Sequence, residues 1–116
     1  MRRKSENFAD RIVKLYNFVV QQHETVMSKQ VYRSGTSIGA NIAEGTNAQS
    51  GADFINKLSI ALKEANETEF WLTRLYNAGY IDNKGFLSLK NDNDELIRML
   101  VCSIKTAKNN QEKQER

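Results

Sequence analysis

The sequence predicts an all-α fold, an up-down-up-down antiparallel four-helix bundle, and three observations carry that prediction. Proline, the strongest helix breaker, is absent. Four stretches place apolar residues at alternating steps of four and three, the spacing of one helix face. The connections between them are short and polar, and no stretch alternates as a convincing strand would. At 116 residues, 40 % of them hydrophobic and 27 % charged, the chain suits one soluble domain, 1–116, with its own core.

The first helix is expected over about 7–22. Asn7 with Asp10 resembles a helix-start pairing, although glutamate or glutamine is the usual partner there. Phe8, Ile12, Leu15 and Val19 form its stripe; Val13, Tyr16 and Val20 widen it, while Lys4, Arg11 and Lys14 fall on the polar side. The second helix is expected over about 27–44, capped by Thr25 or Ser28 and stopped at Gly45 by a left-handed turn. Its seam is Val31, Gly35, Ile38 and Ile42, with Met27, Ser34 and Asn41 on a flanking line.

This second segment is unusually rich in small residues. Ser34, Gly35, Thr36, Ser37, Gly39, Ala40 and Ala43 leave little side chain between Arg33 and Gly45. A glycine inside a helix costs about 1 kcal/mol relative to alanine. Gly35 and Gly39 therefore imply close approach of another backbone. Glu44, in the last turn, is disfavoured by the helix dipole and is expected to meet the start of the third helix or Arg33 of a neighbouring copy.

Ser50 followed by Asp53 marks the third helix, expected over about 51–78 with Gly79 as its stop. Phe54, Leu58, Ala61, Ala65, Thr68, Leu72 and Leu75 trace one long seam, and Ile55, Leu62, Glu69 and Tyr76 a second. The fourth helix is expected over about 83–107, capped by Asp82 or Asn83. Leu87, Leu96, Met99, Leu100, Ser103 and Ile104 face inward, with a break or restart at Asn91–Asp94. The tail 108–116 lacks apolar anchors and is expected to fray.

Chemistry-bearing patterns are few. A single cysteine, Cys102, excludes an intramolecular disulfide and reads as a buried inert thiol. Di-iron bundles need two Glu-x-x-His pairs, and His23, the one histidine, reads as a solvated helix terminus. The Asn91–Glu95 run fails as a calcium loop, because its sixth and twelfth positions from Asp92 are Ile97 and Ser103. Gly35 and Gly39 neither follow a strand nor precede a Lys-Ser/Thr pair, which removes a phosphate loop. Ser34 and Ser37 lack a histidine base. The reading is a non-enzyme with no catalytic residue, metal or cofactor. Arg33, Glu44, Glu67 and Glu69 are assigned structural or interface roles.

Net charge is +3 with a pI near 9.1, compatible with nucleic acid. Arg2, Arg3, Lys4, Arg11 and Lys14 form one loose basic cluster, and Arg98, Lys105 and Lys108 another. Arg11, Lys14, Arg98 and Lys105 are the candidate phosphate contacts. No apolar run is long enough to cross a membrane, and no signal-peptide core follows the basic N-terminus, so a cytoplasmic protein is expected.

Arg33-Ser34, Ser37-Ile38, Asn41-Ile42-Ala43-Glu44-Gly45, Asp53-Phe54, Leu58, Ile60-Ala61, Glu67, Leu72 and Gly79-Tyr80-Ile81 together resemble a bacterial family. It is the four-helix-bundle family known as 23S ribosomal RNA intervening-sequence proteins, and the likeness spans about residues 5–108. The resemblance implies a homo-oligomer, a pentameric ring, in which Arg33, Ser34, Gly35, Ser37, Gly39, Asn41, Glu44, Gly45, Asp53 and Glu67 form a structural and interface motif. Through a related accessory protein of diversity-generating retroelements it also implies RNA or DNA and a partner protein such as a reverse transcriptase. It carries over no catalytic residues.

Overall fold

A computed structural model describes residues 1–115. They form four α-helices and no strand: α1 (Arg2–Val20), α2 (Val26–Thr46), α3 (Gly51–Asn77) and α4 (Asn83–Glu115). α2 and α3 share the most extensive contact, α1 lies on α2, α4 lies on α3, and α1 meets α4 more sparsely. Cross-helix contacts run in opposite numerical order. Gly35 and Gly39 approach Ile12 and Ser5, Arg33 and Glu44 pair with Glu67 and Lys57, and Asn93 and Lys90 meet Ala65 and Glu69. This order is compatible with the alternating arrangement that the short connections predict. The molecule measures 55 × 21 × 21 Å, and the 33-residue α4, roughly 50 Å long at the helical rise, accounts for the long axis.

The seams are where the spacing puts them. Phe8, Ile12, Leu15 and Val19 are buried against Val31, Ile38, Ile42, Leu58, Ala61, Ala65, Leu72 and Leu75. Ile55, Leu62, Glu69 and Tyr76, the flanking line of α3, are half-buried, as is Phe54. On α4 the inward set is Leu89, Asn93, Leu96, Leu100 and Ile104, whereas Leu87 is exposed.

Helix ends depart from the sequence reading for identifiable reasons. α1 begins at Arg2, not Asn7: the Ser5 amide donates to the Met1 carbonyl, and the Ser5 hydroxyl donates to the Arg2 carbonyl. That buries Ser5 beneath Gly39. α2 runs through Gly45, which is helical and buried beside Lys57 and Leu58 of α3, and the helix ends at Thr46 with Asn47 as its C-cap. Neither Thr25 nor Ser28 caps α2 with its side chain. The Glu24 carboxylate does so, accepting from the amides of Val26, Met27 and Ser28. His23, the residue before it, adopts a left-handed φ of 67° to make the turn.

Ser50 caps α3 through the Asp53 amide, as expected. Gly79, at φ 85°, closes its far end; the Gly79 and Tyr80 amides donate to the Tyr76 and Leu75 carbonyls in a Schellman arrangement. α4 neither breaks at Asn91–Asp94 nor frays at 108. Asn93 is buried and its amide donates to the Ala65 carbonyl, Asp94 binds Lys90, and Asp92 binds Arg11. The expected tail continues as helix to Glu115, with Gln111 beside Gly51 at the start of α3; Arg116 lies outside the described residues. Cys102 is exposed, not buried, because its position turns away from the Leu96–Leu100–Ile104 seam.

Candidate nucleic-acid interface

The small-residue segment of α2 is a packing face. A Cβ at Gly35 would lie 2.7 and 2.9 Å from Ile12 Cγ1 and Cγ2, and one at Gly39 would lie 3.3 Å from the Ser5 carbonyl oxygen. Ser34 is buried and accepts a hydrogen bond from the Thr68 hydroxyl at 2.9 Å. Ser37 donates to the Arg33 carbonyl and Asn41 to the Ser37 carbonyl, so both satisfy their own helix. Arg33 reaches across to α3, Nη2 lying 2.7 Å from Glu67 and Nη1 3.2 Å from Glu64. The Glu67 hydrogen bond raises the guanidinium pKa, burial opposes it, and the Glu64 field adds to it. Glu44 pairs with Lys57 at 2.9 Å within the same chain. Such solvent-exposed pairs are screened by water and salt and add little to stability.

The four candidate phosphate contacts fall into two groups. Arg11 and Lys14 lie on α1 and line a cavity of about 620 Å³ together with Leu15, Phe18, Tyr80, Asp82 and Leu89. Arg11 is already engaged: Nη1 is 2.6 Å from Asp92 and Nη2 is 2.9 Å from the Ser88 hydroxyl. Lys14 makes no ion pair among the described residues. Arg98 and Lys105 lie on α4, seven residues apart and both exposed, with Lys108 three residues further on the same face. From Leu96 to Gln111 this helix carries those three cations and no carboxylate. Lys105 and Lys108 flank a shallow depression with Leu62, Val101 and Ile104, and Glu112 closes its far end. Phe18, Gln22, Tyr80 and Asp82 were not among the candidates. The spacing Arg11, Lys14, Phe18, Gln22 marks one outer face of α1, but the residues opposite it come from a connection far along the chain.

Comparison with protein families matches residues 1–102 to the 23S rRNA-intervening sequence proteins. The chain belongs to that family. A crystal structure of a protein of unknown function from the S23 ribosomal protein family of Bacteroides thetaiotaomicron VPI-5482 is 58 % identical, with a TM-score of 0.89. The match covers 90 % of this chain and 97 % of that one. Comparison with curated proteins gave no match. The family match thus spans the Arg33–Gly45 packing face, α3, the cavity and Arg98, and stops before Lys105 and Lys108.

Among the described residues no three His, Cys, Asp or Glu side chains cluster closely enough to hold a metal ion. No described helix is long and apolar enough to cross a membrane.

Proposed function

We propose that this chain is a non-enzymatic, cytoplasmic four-helix bundle of up-down-up-down antiparallel topology, assembled as a homo-oligomer, a pentamer. In that form it contacts RNA or DNA phosphates as an accessory factor. The observation that carries the reading is the Leu96–Gln111 stretch of α4, in which Arg98, Lys105 and Lys108 stand exposed without an ion pair among the described residues and no carboxylate occurs before Glu112. Repeated around a ring, that face multiplies a modest excess of charge into a field able to hold a polyanion. Arg11 and Lys14 add a second, smaller basic locus on each copy.

Two measurements test this. Filter binding of RNA and duplex DNA across a salt series should show affinity that falls steeply with ionic strength. Arg98→Gln, Lys105→Gln and Lys108→Gln combined should flatten the log–log slope by about 2–3, the scale of three lost phosphate contacts. An affinity unaffected by salt or by the triple change removes the α4 face from the reading. Sedimentation equilibrium should return a mass of several chains; a monomer at micromolar concentration removes the ring.

A second reading, a protein-interaction scaffold with a partner such as a reverse transcriptase, rests on exposed Phe70 and Val101. The Phe70 ring lies under Arg74, at 4.6 Å, and edge-on to Trp71. A partner retained after nuclease treatment favours that reading over the first.

A further inference from the structure

We propose that the cavity between α1 and the α3–α4 connection holds one unpaired nucleobase, so that the nucleic acid this protein contacts is single-stranded. The inference rests on the phosphate-binding reading and goes beyond it by naming the strand state and the site. Three observations support it.

The first is an aromatic side chain that packing does not account for. Phe18 is 54 % exposed, although its neighbours Leu15 and Val19 are buried in the core, and it forms part of the cavity wall. Tyr80 supplies a second ring on the opposite element, its carbonyl held by the Gln22 side-chain amide at 3.0 Å. Apolar Leu15, Ile81 and Leu89 complete the wall. The volume of about 620 Å³ lies within the usual range for small-ligand sites, and an aromatic face accepts any base by stacking.

The second is the placement of charge. Lys14 stands on the same wall, one helical turn before Phe18. A phosphate attached to the stacked nucleotide can meet the Lys14 ammonium, whereas Arg11, paired with Asp92 and held by Ser88, lends the wall shape and little net charge. Cation and aromatic lie on one rigid helix, which costs less ordering than a loop would.

The third is an acceptor at the other end. Asp82 uses Oδ1 to accept the Gly85 amide at 2.7 Å and so cap α4. Its second oxygen remains able to accept the exocyclic amino hydrogens of adenine, cytosine or guanine. A carboxylate there repels phosphate, so it orients the nucleotide with its base edge toward Asp82 and its phosphate toward Lys14. A base inside a duplex is stacked and paired and cannot enter such a site without being extruded.

Fluorescence anisotropy with a labelled oligo(A), alone and annealed to oligo(U), tests the proposal on the full chain. The single strand should bind more tightly than the duplex. Phe18→Ala should weaken the single strand about tenfold, the scale of one lost aromatic–base stack, and leave duplex binding and both salt slopes unchanged. Phe18→Tyr should bind as the parent does. Phe18 stands outside the core, so its truncation leaves the core packing intact, and a far-UV circular dichroism melt of each variant checks folding. Equal affinity for the two forms, or indifference to Phe18→Ala while salt-dependent binding persists, overturns the cavity proposal and leaves the phosphate reading standing. No binding of either form overturns both.

Discussion

Gly35→Leu is expected to destabilise the bundle by more than about 3 kcal/mol, beyond the usual range for overpacking. Even one added carbon has nowhere to go, since a Cβ at Gly35 falls within 3 Å of both γ carbons of Ile12. Ile12 is fully buried, its two γ branches start at the same atom, and β-branched side chains in helices keep essentially one rotamer. Rotation exchanges one γ carbon for the other without vacating the space. Gly35→Ala should therefore cost about 1–2 kcal/mol net, the overlap outweighing the roughly 1 kcal/mol that alanine gains in helix propensity.

A double-mutant cycle isolates the contact. Ile12→Ala removes both γ carbons and should cost about 2–5 kcal/mol by itself. In that background Gly35→Ala should become neutral or stabilising, a coupling of about 1–3 kcal/mol in urea melts. An equal cost of Gly35→Ala in both backgrounds would show that the glycine is not there for Ile12. Gly39→Leu meets the Ser5 main chain instead, so no side-chain truncation should rescue it.

How much of this was legible beforehand follows from where each feature's cause lies. The seams were readable because burial follows a period: Phe8, Ile12, Leu15 and Val19 on α1, and Leu58, Ala61, Ala65, Thr68, Leu72 and Leu75 on α3 are all buried. Gly35 and Gly39 were readable because a glycine inside a helix has a cost that something must offset. Gly45 misled for the same reason. Its cost suggests a stop, yet the helix continues through it to Thr46, and a Cβ there would meet Lys57 and Leu58 only at ordinary contact distance. Asn91–Asp94 looked like a break because their side chains compete with the backbone; Ala65 and Arg11 on other helices and Lys90 one turn earlier on α4 give three of them partners that keep the helix intact. The nucleotide cavity was invisible in principle, since Phe18 and Tyr80 are brought together by the fold and by no local pattern.

Glu24 carries the second large effect. Its carboxylate takes the first three orphan amides of α2, Oε1 accepting from Val26 and Met27 at 2.9 Å and Oε2 from Ser28 at 2.7 Å. The Ser28 hydroxyl donates back to the Glu24 carbonyl at 2.9 Å. The group is only 8 % exposed, so truncation leaves amides with restricted access to water and removes a charge from the positive end of the helix dipole. Glu24→Ala should cost about 2–3 kcal/mol, at or above the top of the usual capping range because several charge-assisted bonds are lost together. For a domain of this size that lowers the melting temperature by roughly 10 °C.

The dependence on pH gives this cap a signature that a packing loss would lack. Burial raises the Glu24 pKa, but the amides of Met27, Ser28 and Val26 and the Ser28 hydroxyl outweigh it, leaving the pKa below the ordinary carboxylate value. With the folded pKa below the unfolded one, the ionised cap stabilises fully above the unfolded value and loses that contribution as pH falls through the folded one. The stability gap between the parent and Glu24→Gln should thus be widest near neutral pH, begin to narrow below about pH 4.5, and shrink further with acidification. A gap constant from pH 7 to pH 3 would mean that Glu24 holds α2 by its shape and not by its charge.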